Sequence, residues 1–272
     1  MNQQEKKALS ITACKVRMGV IEGTYHAKSG HPGGSLSFAD IFTYLYFKEM
    51  NIDPKDIKMP ERDRFILSKG HGAVCMYITM ALRGFFDYDE IVATYGKLDS
   101  AYGQHPCKVR LPGVETSTGS LGHGLAICVG MAAHAKMKKA SHRVFCMMGD
   151  GETCEGSVWE AAINGRALKL GNLVAIVDQN RLQATGVVKE RFDTTPLVGK
   201  WEAFGWNVKE IDGHDMWEIL TALDTVEKNG RPTVIIAHTV KGKGVSFAEN
   251  VVSFHNSTLS QEQYNQALAE LA

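Results

Sequence analysis

The chain of 272 residues lacks an excess of either charge: Lys plus Arg and Asp plus Glu both number 30. A net basic footprint for nucleic acid is therefore missing. A neutral balance also does little to keep copies of a chain apart, which is compatible with an oligomer. No apolar run approaches the roughly 18 residues of a membrane-spanning helix, and the start, MNQQEKKAL, has no basic-then-apolar secretory pattern. The six cysteines (14, 75, 107, 128, 146 and 154) form no CxxC pair, which speaks against a zinc cage or a disulfide framework. Cys128 falls in a helical pattern and Cys146 in a strand-like run, so both read as small core residues. Repeats, low-complexity tracts and Pro/Ser-rich linkers are absent too, and a single domain over 1–272 is expected. Neither a Walker A loop nor a GxGxxG after a strand occurs, which removes a plain nucleotide-binding domain. A reduced, cytoplasmic enzyme is the expectation these absences leave.

What is present is an ordinary core composition, 44% hydrophobic and 22% charged. Residues from about Gln4 to Ala27 read as a helix whose loose apolar face carries Leu9, Cys14, Val16, Val20 and Ile21. A glycine-rich break, SGHPGGS (29–35), precedes an aromatic helical stretch from Phe38 to Phe47. RFILSKGHG (64–72) is a short apolar strand ending in a Gly/His turn, with a helix from Ala73 to Leu82 after it. The same order returns in RVFCMMGDG (143–151), followed by a helix from about Val158 to Leu168. NLVAIVDQN (172–180) and TVIIAHTVKGKG (233–244) are further strands with polar ends, the latter preceded by a helix around Met216 to Lys228. Ser260 and Gln263 stand in capping-box spacing before Tyr264, Leu268 and Leu271, which share one helix face. Short apolar strands alternating with helices predict an α/β fold, a mostly parallel sheet with helices on both faces. Such sheets bind ligands at the carboxyl ends of their strands, where all four polar turns would gather.

The strongest local signal is GDGETCEG (149–156) followed by DQN (178–180). Gly149 and Gly151 let the backbone approach a ligand closely, and the helix after them directs free N–H groups toward an anion. One strand–helix–strand unit separates Asp150 from Asn180, so the two can lie side by side. A carboxylate, an amide oxygen and a main-chain carbonyl suit a small hard cation.

GDG, about thirty residues and then Asn resembles the diphosphate–metal motif of thiamine-diphosphate enzymes. That resemblance implies that Asp150, Asn180 and the carbonyl of Leu182 bind Mg2+, or Ca2+ or Mn2+ in its place. The cation is needed on magnitude: a helix terminus offers an anion about 0.3–1 kcal/mol, up to about 2 when partly buried, whereas burying unpaired charge costs several kcal/mol per ion. SGHPGGS, SKGHG, YGQHP and STGSLGHG match, in order, motifs of the transketolase amino-terminal half, and the likeness runs from the first helix to about His255.

By this resemblance His71 donates to the diphosphate, while His31 and His105 lie beside the reactive thiazolium carbon and shuttle protons. Imidazole suits that work, with an ordinary pKa of about 6.5. His255, in SFHNS, resembles the late histidine that bridges diphosphate and substrate. Gly119, Leu121, Gly149, Gly151 and Glu155 are implied cofactor contacts, and Gly122 lets the chain pass nearby. Lys241 or Lys243 of VKGKG lies against phosphate or over the thiazolium, or the segment is a solvated basic turn. Glu155 and Glu160 correspond to acidic residues that link paired active sites in the family; Glu160 also reads as an ordinary helix-surface residue. Ser120 and His123 stand where the family usually has Pro and Gln. His26, His134, His142, His214 and His238 match no motif.

In full-length transketolases the pyrimidine pocket, its activating glutamate and the sugar-phosphate arginines follow this region. The expectation is thus a split subunit ending at Ala272, active only with a separate carboxy-terminal partner, in an α2β2 assembly. Together they would move a two-carbon ketol unit from a ketose or ketose phosphate to an aldose acceptor. Alternatives are one chain of another thiamine-diphosphate carboligase, such as a deoxyxylulose-phosphate-synthase-like enzyme, and a non-catalytic cofactor-binding module. Against the latter, a mere binder would need only the diphosphate-holding residues.

Overall fold

The computed structural model of the chain describes residues 1–226 and 229–272. Seven strands form in chain order: β1 (Arg64–Leu67), β2 (Val144–Gly149), β3 (Leu173–Gln179), β4 (Leu182–Gln183), β5 (Gly186–Val187), β6 (Asn207–Asp212) and β7 (Thr233–His238). Five of them make one sheet in the order β1-β2-β3-β7-β6, every pairing parallel. β4 and β5 are a small antiparallel hairpin just past β3.

The strands are apolar on both sides because both faces are covered, as a parallel sheet requires. Side chains alternate along each strand. Phe145, Met147, Val174, Ile176, Ile235 and Ala237 enter one core, while Cys146, Met148, Ala175, Val177, Val234 and Ile236 enter the other.

The helices are α1 (Gln3–Ala27), α2 (Pro32–Leu36), α3 (Ala39–Tyr44), α4 (Ala73–Arg83), α5 (Tyr88–Thr94), α6 (Gly124–Met137), α7 (Gly156–Ala167), α8 (Val188–Arg191), α9 (Leu197–Ala203), α10 (Met216–Asp224) and α11 (Gln261–Leu271). The first core is closed by α1 to α5, α10 and α11, through residues such as Val20, Phe42, Tyr77, Ile219 and Leu271. The second is closed by α6, α7 and α9, with Cys128, Val158 and Trp201 against the strands.

Helix ends follow local chemistry. Asn2 and Glu5 form a capping box at the start of α1, which stops where Lys28 turns left-handed (φ 49°). Ser260 and Gln263 form the capping box expected for α11. The helix around Met216 ends at Asp224; its expected end, Lys228, lies outside the described residues. β6 has no counterpart among the expected strands: NVKEID is an edge strand, and Lys209, Glu210 and Asp212 give it the composition of a loop. Cys128 and Cys146 are buried, and all six cysteines are free thiols. No described helix is long and apolar enough to cross a membrane.

Candidate active site

The parallel register sets the site. Gly149 pairs with Asp178, so Asp150 leaves the end of β2 beside Asn180, which leaves the end of β3. Asp150 N donates to Asp178 O at 3.2 Å. The Asp150 carboxylate accepts the main-chain N–H groups of Gly151 (2.8 Å) and Arg181 (2.6 Å). Asn180 accepts Leu182 N–H on Oδ1 (3.1 Å) and donates from Nδ2 to Asp178 Oδ2 (3.0 Å).

Asp150, Asn180 and Leu182 line one cavity of about 300 Å³, together with His71, Lys241 and His255. Leu121, Gly149, Gly151 and Glu155 line it as well. A side chain at Gly149 would meet no atom within 4 Å, so the open space beside this glycine belongs to the cavity.

The donor set facing the cavity fits a hard cation. It consists of a carboxylate, an amide oxygen and a main-chain carbonyl, all oxygen. Burial, with Asp178 nearby, pushes the Asp150 carboxyl up to about 6 despite its two N–H donors. A cation beside it would reverse that shift. The Leu182 carbonyl already accepts from the Lys241 ammonium at 3.0 Å. No cluster of three or more His, Cys, Asp or Glu side chains suited to a metal occurs among the described residues; the donor set here has a different composition.

Four histidines gather at the cavity's edge. The ring centroid of His31 lies 5.4 Å from His71, 5.9 Å from His105 and 5.7 Å from His255, and His71 lies 5.1 Å from His255. Burial, then His105 and Lys241, lowers His31 to about 4; burial, then Lys241 and His31, lowers His255 to about 3. His71 is held well below its ordinary value and His105 is also lowered, in both cases first by burial. Neutral imidazoles both donate and accept. Nδ1 of His31 is buried without a hydrogen-bond partner, an arrangement that costs about 1–3 kcal/mol and that a ligand would relieve. Gly119 packs against His105: its φ is +145°, and a Cβ there would come 3.0 Å from the imidazole.

Lys241 is 1% exposed, and burial followed by Lys69 lowers its ammonium to about 8. It contacts His255 Nδ1 at 2.7 Å. Lys243 points elsewhere, 3.7 Å from Glu249. Glu160 sits on the exposed side of α7.

Three buried groups behind the site escaped sequence reading. Asp178, with no exposed surface, accepts from Lys69, Ser37 (2.6 Å) and Thr239 as well as Asn180. Glu152 accepts from Ser68, Gly122 N (2.8 Å) and Gly149 N (3.1 Å), and so ties three of the glycine-rich turns together. His214 bridges Asp40 (2.8 Å) and the N–H of Val240 (2.9 Å), one residue before Lys241. The signal that could have found them is an Asp, a Glu or a Lys inside an otherwise apolar strand-and-turn segment.

The same segments match known proteins. The family described as "Transketolase, thiamine diphosphate binding domain" covers residues 9–271. The chain belongs to that transketolase family. It is 42% identical to one of the separately named subunits of apulose-4-phosphate transketolase from Phocaeicola vulgatus, over 98% of this chain and 94% of that one. It is likewise 42% identical to the protein of the same name from Actinobacillus succinogenes, over 99% and 96%. Among solved structures it is similar to the transketolase of Campylobacter jejuni, with a TM-score of 0.92 and 32% identity. That match covers all of this chain and 43% of the other, so the transketolase domain described here spans less than half of the solved enzyme. Its parallel sheet flanked by helices is the fold those enzymes share.

Proposed function

We propose that this transketolase chain is the diphosphate-holding subunit of a two-chain enzyme that moves a two-carbon ketol unit from a ketose, or ketose phosphate, to an aldose acceptor. The observation that carries the reading is the meeting of Asp150 and Asn180 at one rim of the sheet, with four neutral histidines beside them. Support for a second chain comes from relatives that are themselves named as transketolase subunits, which this chain matches over nearly their whole length. A carboxy-terminal partner in an α2β2 cytoplasmic assembly completes the proposal, with residues 1–272 acting as one domain.

When bound, thiamine diphosphate supplies the electron sink for breaking and remaking a carbon–carbon bond next to a carbonyl. In this reading Asp150, Asn180 and the Leu182 carbonyl hold Mg2+, with Ca2+ or Mn2+ as substitutes, and the cation offsets the diphosphate charge. His71 donates to the diphosphate, and Lys241 adds a buried positive charge on the same side. Gly119, Leu121, Gly149, Gly151 and Glu155 shape the wall against which the cofactor lies. His31, His105 and His255 hydrogen-bond the sugar hydroxyls and hold or move protons, which their neutral rings suit near pH 7.

The test is reconstitution. The purified chain is mixed with the candidate partner encoded beside it, thiamine diphosphate and magnesium, and ketol transfer is assayed with xylulose phosphate and with pyruvate as donors. Transfer from the ketose only when both chains are present supports the reading. Full activity of this chain alone, or a preference for pyruvate, would refute it.

A further inference from the structure

We infer that Gln104 is a positioning residue: through a hydrogen bond to Ser29 it sets the spacing between His105 and His31. The inference rests on the proposed function, in which these two imidazoles handle protons during transfer.

The two histidines arrive on separate turns. His31 follows the Ser29–Gly30 turn at the end of α1, and His105 stands on the long connection between α5 and α6. Their rings lie 5.9 Å apart, centroid to centroid. The side-chain amide of Gln104 donates to Ser29 Oγ at 2.8 Å, and this bond is partly buried. It joins the residue just before His105 to the residue two before His31.

The other holds on His105 come from elsewhere. The hydroxyl of Tyr77, a fully buried residue of α4, donates to the His105 carbonyl at 3.0 Å. Thr118 N donates to Pro106 O at 3.3 Å, and Gly119 lies against the ring. These contacts fix the loop against α4 and the 118–119 segment. They do not fix it against the turn that carries His31, and the His105 side of the pair is exposed. Gln104 supplies that missing link.

Proton transfer needs heavy atoms within about 2.6–3.2 Å of one another, and a misplacement of about 1 Å costs on the order of a hundredfold in rate. A bond that joins the two turns therefore governs turnover without touching the diphosphate or its metal ligands.

The experiment uses the assembled two-chain protein. Gln104→Ala should lower kcat about tenfold or more, leave the affinity for thiamine diphosphate and the melting temperature unchanged, and shift the pH profile of kcat. Ser29→Ala, which removes the same bond by deleting one oxygen, should give the same loss, and the double variant should be no worse than either single one. Gln104→Glu should restore kcat, because a carboxylate accepts the Ser29 hydroxyl proton. If Gln104→Ala folds poorly, the Ser29→Ala and Gln104→Glu pair carries the test. Unchanged kcat in Ser29→Ala, or losses in cofactor affinity that match the loss in kcat, would overturn the assignment. An unmodified assembly that transfers no ketol unit would overturn the functional reading itself and this inference with it.

Discussion

Asn180 donates its side-chain amide to Asp178 Oδ2 at 3.0 Å, and its amide oxygen is thereby left for the Leu182 N–H, 3.1 Å away at the cavity wall. The orientation of a proposed metal-holding amide thus depends on a carboxylate with no exposed surface. Burial alone would raise the Asp178 carboxyl; Lys69, with Ser37 and Thr239, holds it below its ordinary value. Lys69 in turn reaches the carbonyl of Gly34 at 3.0 Å.

Removing one member of this buried pair leaves the other without its countercharge, at a cost of about 3–5 kcal/mol. Asp178→Ala should therefore lower the denaturation midpoint sharply. The double variant Asp178→Leu with Lys69→Met should recover much of that stability while still binding thiamine diphosphate poorly, because Asn180 has lost its partner. Denaturant titration of the three proteins decides. A stable Asp178→Ala single variant would show that Lys69 does not depend on this carboxylate.

His71 and His105 should separate in their effects. His71 lines the cavity and is lowered first by burial and then by Lys69, whereas His105 stands at the exposed edge of the cluster. Replacing His71 with Ala removes a hydrogen bond to a charged group, about 1.5–3 kcal/mol, and should weaken thiamine diphosphate binding roughly tenfold or more. His105→Ala should lower kcat by about a hundredfold or more while cofactor affinity changes little. Calorimetry and steady-state kinetics on both variants test this, and equal losses of affinity and kcat in His105→Ala would move that residue to the diphosphate.

The histidine cluster also predicts a pH dependence of stability. His31 and His255 are lowered to about 4 and about 3 in the folded chain, first by burial. The unfolded chain, with imidazoles near 6.5, binds more protons between those values. Their contribution is full above about pH 6.5 and is lost as pH falls toward 4. The cofactor-free chain should melt at a higher temperature at pH 7.5 than at pH 5, and His31→Gln should flatten that difference. An unaltered slope in the variant would place the cause outside the cluster.

How much could be read in advance varied with the kind of contact. Each of β1, β2, β3 and β7 is an apolar run ending in a polar turn, so the sheet and its ligand-binding rim were legible from local pattern alone. The capping box at Ser260 and Gln263 was legible for the same reason. β6 was hidden because an edge strand with one half-exposed face carries charges that mimic a loop. Asp178, Glu152 and His214 were hidden for a different reason. Each owes its role to partners far along the chain: Lys69 and Ser37 for Asp178, Ser68 and Gly122 for Glu152, Asp40 and Val240 for His214. Spacing shows which residues are present, but only the packed turns show which of them meet.

The most direct measurement is a calorimetric titration of thiamine diphosphate into the assembled protein, with magnesium and then with the metal chelated, for the unmodified chain and for Asp150→Ala. The unmodified chain should bind the cofactor with magnesium and lose most of that affinity without it, and Asp150→Ala should bind weakly in both conditions. Equal affinity with and without metal, or unchanged binding by Asp150→Ala, would contradict the central claim that Asp150 and Asn180 share a cation beneath the diphosphate.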